Sequence, residues 1–132
     1  DYKLIDQSAI EIVDSRFVDR PMLVDSIADV ASCGLVVLGG NPRRLDDIDV
    51  RRIGGTLVKN GEIEESGVAA AVMGNPVNAV AWLANKLHEF GVTIEPGQVV
   101  LSGSFVRAVR FGAGDTITAL FDELGDVTIA VR

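Results

Sequence analysis

The chain of 132 residues is long enough to form one folded domain, and its 48% hydrophobic content excludes an intrinsically disordered protein. Its 19 acidic and 12 basic residues give a net charge of −7, which argues against a nucleic-acid partner. No apolar run reaches the roughly 20 residues of a membrane-spanning helix, and the single cysteine, Cys33, allows no internal disulfide. We therefore expect a single cytoplasmic domain over residues 1–132, with neither nucleic-acid nor membrane partners.

Residues 8–14 alternate as a β-strand does, and this pattern places Glu11 on the same face as the apolar Ala9 and Val13. A carboxylate beside apolar neighbours is costly unless something compensates its charge. A bound cation, the nearby Arg16 or exposure at a sheet edge would each do so. The residues alone leave these three alternatives open.

A first helix is predicted from Pro21 to about Ser32, since proline favours the first helical turn and Gly34 follows as a stop signal. Four residues are expected to face inward: Leu23, Ile27, Val30 and Ala31. Cys33 is expected to be a small buried residue rather than a nucleophile, because nothing near it in sequence would activate its thiol. Residues 35–38 are predicted to form a short buried strand, and residues 45–50 a solvated connection.

The strongest turn signal is Asn60-Gly61, which predicts a hairpin between strands at residues 56–59 and 62–65. Both turn residues tolerate the positive φ angles that such a tight turn requires. Lys59 is expected to be a surface charge of this hairpin.

A longer helix is predicted after Asn75, with Asn75 as its N-cap, Pro76 as its first residue and Gly91 as its left-handed C-cap. Its apolar face is expected to contain Val77, Val80, Ala81, Ala84 and Leu87. Trp82 lies among polar side chains instead. A large aromatic ring there indicates a contact with another element or another subunit.

Residues 98–101 are predicted to form a buried strand that leads into the small loop Ser102-Gly103-Ser104, and such loops often carry binding groups. Three further strands are predicted at residues 105–111, 115–122 and 127–131, with a Gly-Ala-Gly-Asp turn between the first two. Several short strands with two main helices argue for a β-rich α+β domain.

Five segments, GNPVNAVAWLANKL, PGQVVLSGS, GAGD, AIEIVDSRF and DSIADVASCG, together carry a resemblance to a known enzyme group. From about Ala9 to Arg132 the chain resembles the C-terminal half of 2-hydroxypentadienoate hydratases and 4-oxalocrotonate decarboxylases, in the fumarylacetoacetate-hydrolase-like superfamily. The resemblance implies the mixed β-roll of that fold. Since the sequence starts at Asp1 and the family's members are roughly twice as long, we expect it to be the C-terminal part of a longer catalytic chain.

The resemblance implies metal-dependent hydration of 2-hydroxypenta-2,4-dienoate (2-oxopent-4-enoate) to 4-hydroxy-2-oxopentanoate, in aromatic-compound catabolism. Glu11 matches the family's third acidic ligand to a divalent metal, Mg²⁺ or Mn²⁺, whose other two ligands form a Glu-x-Glu pair absent upstream of Glu11 here. Ser32 and Ser104 match hydroxyl positions near the substrate, whereas Val30 and Cys33 depart from the family pattern. No catalytic residue is assigned, and this sequence alone is expected to lack turnover.

Two alternatives stay open for the function. The sister decarboxylase, which acts on 4-oxalocrotonate (2-oxo-3-hexenedioate), requires the same metal-chelated 2-oxo acid. A non-catalytic, truncated interaction domain would instead fold without metal affinity. The expected partners are a small 2-oxo or 2-hydroxy dienoic acid and further copies of the chain in a homo-oligomer, with a partner enzyme of the same pathway as another option.

Overall fold

The computed structural model describes residues 4–132, which form strands, α-helices and short 3₁₀ turns. The strands are β1 (Ile5–Asp6), β2 (Ala9–Val13), β3 (Cys33–Leu38), β4 (Arg43–Arg44), β5 (Gly54–Lys59), β6 (Glu62–Val68), β7 (Thr116–Phe121) and β8 (Gly125–Ala130). The α-helices of this part are α1 (Leu23–Ala28) and α2 (Pro76–His88). None of its helices combines the length and the apolar character that a bilayer crossing requires.

The fold is built on a four-stranded antiparallel sheet with the strand order β6-β5-β7-β8. The β2–β3 ribbon packs over one side of it, where Ile10 of β2 is buried together with Ile117, Ala119 and Val127 of β7 and β8. A second buried cluster, against which Val77 of α2 packs, contains Val50, Ile53, Ala69 and Leu124. The mixed helix-and-sheet class predicted from the sequence is confirmed.

The β5–β6 hairpin forms around the predicted turn, with φ angles of 52° at Asn60 and 88° at Gly61. Lys59 lies in the hairpin as predicted, with 25% of its side chain exposed, but its charge is paired. Its Nζ lies 3.0 Å from Oδ2 of Asp115 and donates to the carbonyl oxygen of Arg110 at 3.0 Å. Lys59 therefore ties the hairpin to the turn that precedes β7.

Helix α2 has both predicted caps. The Asn75 side chain accepts a hydrogen bond from the amide of Val77 at 3.0 Å. At the other end Gly91 has φ of 71°, and the amide of Val92 donates to the carbonyl of Leu87 at 3.1 Å. Local capping signals thus set both ends of this helix.

The apolar face of α2 is narrower than the sequence pattern predicts. Ala81 and Ala84 are exposed, whereas Val80, Leu83 and Leu87 are half-buried. Trp82 is 59% exposed, so no other part of residues 4–132 buries its ring.

The first helix is much shorter than predicted, because α1 ends at Ala28 and three left-handed residues follow it. The four side chains expected to face inward are exposed: Leu23, Ile27, Val30 and Ala31. The described residues place no buried cluster against this helix, so its apolar side has no core to join.

The two segments that flank β4 also differ from expectation. Leu35, Val36 and Leu38 lie in a strand as predicted, but their side chains are exposed rather than buried. Conversely, the connection at residues 45–50 is not wholly solvated, since Val50 is buried in the second core cluster.

Residues 98–101 and 105–111 are not strands, although both were predicted to be. Among the described residues no strand pairs with either segment, and Val99 is exposed rather than buried. The other two predicted C-terminal strands are confirmed as β7 and β8, as is the turn before β7, in which the amide of Asp115 donates to the carbonyl of Gly112.

Phe105 fixes the unpaired segment onto the sheet. Its ring meets Phe121 edge to face, with the centroids 5.9 Å apart and an interplanar angle of 87°. It lies directly over two glycines: a Cβ on Gly55 would come within 2.6 Å of the ring, and one on Gly67 would overlap the Phe105 carbonyl oxygen. Because Gly55 in β5 and Gly67 in β6 have no side chains, they leave the space in which Phe105 packs.

We expect Gly67→Ala to lower the free energy of unfolding by about 1–3 kcal/mol, because the added methyl collides with backbone rather than with a movable side chain. Gly40→Ala is the matched control, since a Cβ there meets nothing within 4 Å, and it should stay within about 0.5 kcal/mol of wild type. Urea denaturation measures both. Equal stability of the two variants would contradict the close packing of Phe105 on Gly67.

Asp115 should make the stability of the fold depend on acid pH. Hydrogen bonds from Asn60, the Gly112 amide and Lys59 lower its pKa to about 2. A carboxyl group whose pKa is lower in the folded state stabilises the fold above its ordinary pKa, and this contribution is lost as the pH falls towards about 2. Denaturation between pH 5 and pH 2 should therefore show a steeper loss of stability for wild type than for Asp115→Asn. Parallel curves would contradict this assignment.

Candidate functional site

One large cavity follows from the way two segments lie on the sheet. Ile10 holds β2 over β7 and β8, whereas Phe105 holds residues 100–111 over β5 and β6. Because β5 and β7 are neighbours in the sheet, a groove remains between the two segments. Its volume is about 950 Å³, and it is lined by residues 6–14, residues 100–111 and side chains of β5 and β7.

Glu11 lines this groove from β2. Strand alternation turns its side chain away from the face on which Ile10 packs, and Glu11 is exposed. The expected cost of a buried charge is therefore absent in this chain. The alternative of Arg16 as its partner is wrong, because Arg16 forms its ion pair with Asp29. Exposure and cation binding remain as explanations for Glu11.

A β-bulge places Cys33 on the same face as Glu11. The register shifts between Ile12 and Val13, so that Val13 pairs with Cys33 and Gly34 has no partner. Burial raises the pKa of the Cys33 thiol, and the nearby Glu11 carboxylate raises it further. A raised pKa lowers the thiolate fraction, which agrees with the prediction that Cys33 is not a nucleophile.

Ser104 lines the same groove from the opposite side. Its hydroxyl accepts a hydrogen bond from the amide of Val106 at 3.2 Å and donates to the carbonyl oxygen of the same residue at 2.8 Å. This local turn holds the hydroxyl next to Phe105, the residue that anchors the segment. The structure thus brings Glu11 and Ser104 to one cavity from positions far apart in sequence.

Ser32 is not among the residues that line the groove. It lies at the end of the ribbon, where its carbonyl oxygen accepts a hydrogen bond from the amide of Asp14 at 2.8 Å. Asp14 does line the groove, so Ser32 is attached to its rim through one backbone hydrogen bond.

Asp29 is a buried charge that the sequence pattern did not reveal. It is only 6% exposed, and Arg16 donates to its carboxylate from both the backbone and the side chain. Burial alone would raise the pKa of Asp29, but the hydrogen bonds and charge of Arg16, helped by Ser32, lower it overall. Arg16, shortly after β2, was the available signal, and its partner lies 13 residues away.

Asp6 is an acidic group of the groove that sequence reasoning missed. Burial raises its pKa, and a hydrogen bond from the amide of Gln7 opposes that effect. Residues 6–14 line one side of the groove, and Asp6 is the first of them, five residues before Glu11. No alternation pattern marks it, because β1 contains only two residues.

As a metal site the described chain is incomplete. Within residues 4–132 no three His, Cys, Asp or Glu side chains come together in a way that could hold a metal ion. A single exposed carboxylate such as Glu11 still suits a hard cation, because Mg²⁺ commonly takes one or two carboxylates together with water and substrate oxygens.

Comparison with known proteins identifies relatives of this chain, although no family model matches it. It is 42% identical over 127 residues to a 2-oxo-hept-4-ene-1,7-dioate hydratase of Escherichia coli, covering 91% of this chain and 48% of that protein. It is 43% identical over 121 residues to a 2-keto-4-pentenoate hydratase of Burkholderia vietnamiensis, covering 91% of this chain and 46% of that protein.

A solved structure agrees with these relatives. The 4-oxalocrotonate decarboxylase from Pseudomonas putida G7, complexed with magnesium and adipate, superposes with a TM-score of 0.89 at 35% identity. The match covers 96% of this chain and 48% of that one. The chain thus spans about half the length of the relatives it matches. The resemblance seen in the sequence is confirmed: this chain is a homologue of the 2-keto-4-pentenoate hydratases and 4-oxalocrotonate decarboxylases over about half of their length.

Proposed function

We propose that the protein containing this chain hydrates 2-hydroxypenta-2,4-dienoate to 4-hydroxy-2-oxopentanoate with the help of a divalent metal, as part of aromatic-compound catabolism. The observation that carries the proposal is an exposed glutamate and a serine hydroxyl on opposite sides of one groove, in a chain 43% identical to a 2-keto-4-pentenoate hydratase. The groove, at about 950 Å³, lies at the upper end of the range for small-molecule sites.

Glu11 is the residue that would hold the metal, Mg²⁺ or Mn²⁺. The exposed carboxylate supports this role, because an oxygen ligand with no ion-pair partner in the described residues is available to a cation. When bound, such an ion supplies Lewis-acid stabilisation of negative charge on the oxygens of a 2-oxo acid. Two further acidic ligands are required, and we propose that they come from outside residues 4–132.

Ser104 and Ser32 would contact oxygen atoms of the substrate. Ser104 is prepared for this by its turn, which fixes the hydroxyl at the groove wall. The hydroxyl could accept a hydrogen bond from an enol O–H, or donate its one proton to a carboxylate in place of the Val106 carbonyl. Ser32 would reach the same substrate only from the rim, next to Asp14.

The rest of the catalytic chain would complete the fumarylacetoacetate-hydrolase-like roll. Two features of the structure support this proposal: the unpaired segment at residues 98–111, and the exposed apolar side chains Leu23, Ile27 and Leu35. Extended backbone and apolar side chains both gain free energy when another element covers them. Trp82 on α2 supports a further contact, which we assign to another copy in a homo-oligomer.

Decarboxylation of 4-oxalocrotonate is the second candidate function. It is favoured by the superposition on the Pseudomonas putida G7 enzyme and by 39% identity to a 4-oxalocrotonate decarboxylase of Pseudomonas putida. Both reactions place charge on the same 2-oxo acid oxygens, so Glu11 would serve either one. Supplying both substrates to the complete protein and following water addition against carbon dioxide release separates the two.

Glu11→Gln in the complete protein should keep the fold and weaken Mg²⁺ or Mn²⁺ binding by roughly tenfold or more. Stability should hardly change, because the exposed carboxylate contributes little to packing. Calorimetric metal titration gives the affinity, and hydration of the dienoate at fixed metal should fall in parallel.

Glu64→Gln is the matched control, since Glu64 is an exposed glutamate in β6 that does not line the groove. Glu64→Gln should change neither the metal titration nor the rate of dienoate hydration. Identical metal affinities for wild type and Glu11→Gln would refute the ligand assignment, and metal binding without turnover of either substrate would refute the proposed reaction alone.

A further inference from the structure

Three consecutive residues after α1 adopt a conformation that their side chains disfavour. Val30, Ala31 and Ser32 have φ angles of 52°, 54° and 62°. Left-handed backbone is uncommon for any residue with a Cβ and is a clear outlier for β-branched valine. The sequence pattern predicts continued helix here instead, so tertiary contacts must hold the turn.

Arg16 provides those contacts at both ends of the turn. Its backbone amide donates to Oδ2 of Asp29 at 3.4 Å, and its Nε and Nη2 donate to the Asp29 side chain and carbonyl oxygen. Its Nη1 donates to the carbonyl oxygen of Cys33 at 3.0 Å. One planar guanidinium therefore bridges the residue before the strained turn and the residue after it.

Backbone hydrogen bonds connect this clamp to the strand that carries Glu11. The amide of Asp14 donates to the Ser32 carbonyl at 2.8 Å, and the amide of Ser32 donates to the Asp29 carbonyl at 2.9 Å. Ser32 is thus fixed relative to β2 directly through Asp14 and indirectly through Asp29, which Arg16 binds. Strain of this kind persists where the surroundings impose it, and it is concentrated at functional sites.

We propose that Arg16 is a positioning residue for Ser32: it holds the left-handed turn that keeps Ser32 beside the groove, where its carbonyl oxygen is bonded to the amide of Asp14. This inference rests on the proposed function, in which Ser32 contacts the substrate. Lysine cannot replace the arginine, because a single ammonium group cannot reach Asp29 and Cys33 in the fixed geometry of a guanidinium.

The test is Arg16→Lys in the complete protein, with two readouts that do not depend on turnover. NMR chemical shifts of residues 30–32 report the left-handed backbone, and calorimetry gives the affinity for 2-oxopentanoate, a non-reacting 2-oxo acid, in saturating Mg²⁺. We expect the left-handed shifts to disappear and the 2-oxopentanoate affinity to fall by roughly tenfold to a hundredfold. The affinity for Mg²⁺ alone should not change, because Arg16 does not contact Glu11 through an ion pair.

Adding Val30→Gly to Arg16→Lys should restore the shifts and most of the affinity, because glycine adopts the left-handed region without steric cost. Arg44→Lys is the matched control: Arg44 pairs with Asp46 at 3.3 Å on the exposed surface, and its replacement should change neither readout. The double variant also keeps the test decisive if Arg16→Lys alone is unstable.

Unchanged 2-oxopentanoate affinity in Arg16→Lys would overturn the inference while leaving the proposed function intact. A loss that Val30→Gly does not restore would also overturn it, because Arg16 would then act directly. Ser32→Ala distinguishes failure of this inference from failure of the proposed function. If it binds 2-oxopentanoate as wild type does, the substrate contact proposed for Ser32 fails and the positioning role fails with it, whereas the assignment of Glu11 still stands on its metal titration.

Discussion

The packing of two side chains, Ile10 and Phe105, on one face of the four-stranded sheet determines the rest of the structure. Each anchors a segment that contributes no strand to that sheet, and the space between the segments is the groove. Each anchor is also a direct sequence neighbour of a candidate site residue, Glu11 in one case and Ser104 in the other. Hydrophobic packing of one residue thus projects the next one outward.

Structures fixed by neighbouring residues could be predicted from the sequence, as the hairpin turn at Asn60-Gly61 and the caps of α2 show. Their hydrogen bonds close within a few residues, so the local pattern contains all the necessary information. Residues 105–111 have an equally clear strand pattern but no strand beside them in the described chain. Strand formation needs a partner, and a sequence pattern does not supply one.

Part of the candidate site could likewise be predicted from the sequence, and part could not. Alternation along β2 and the loop signal near residue 104 drew attention to Glu11 and Ser104, and the family resemblance implied their roles. The structure brings both residues to the groove. The clamp of Arg16 on Asp29 could not be predicted, since it joins residues on either side of a turn and a helix. Its consequence, the left-handed turn after α1, overrides the helical preference of the local sequence.

The contact of β2 with β7 and β8 has a consequence for the order of folding. The Ser8 hydroxyl donates to the Leu124 carbonyl at 3.3 Å across 116 positions of sequence, and Ile10 packs on strands equally distant from it. Closing so long a loop costs chain entropy before any contact compensates it, and such topologies fold slowly. The β5–β6 hairpin can form early, whereas the groove can exist only after β8 has been synthesised. Newly made chains therefore pass through a stage in which β2 and its apolar side chains await their partner strands.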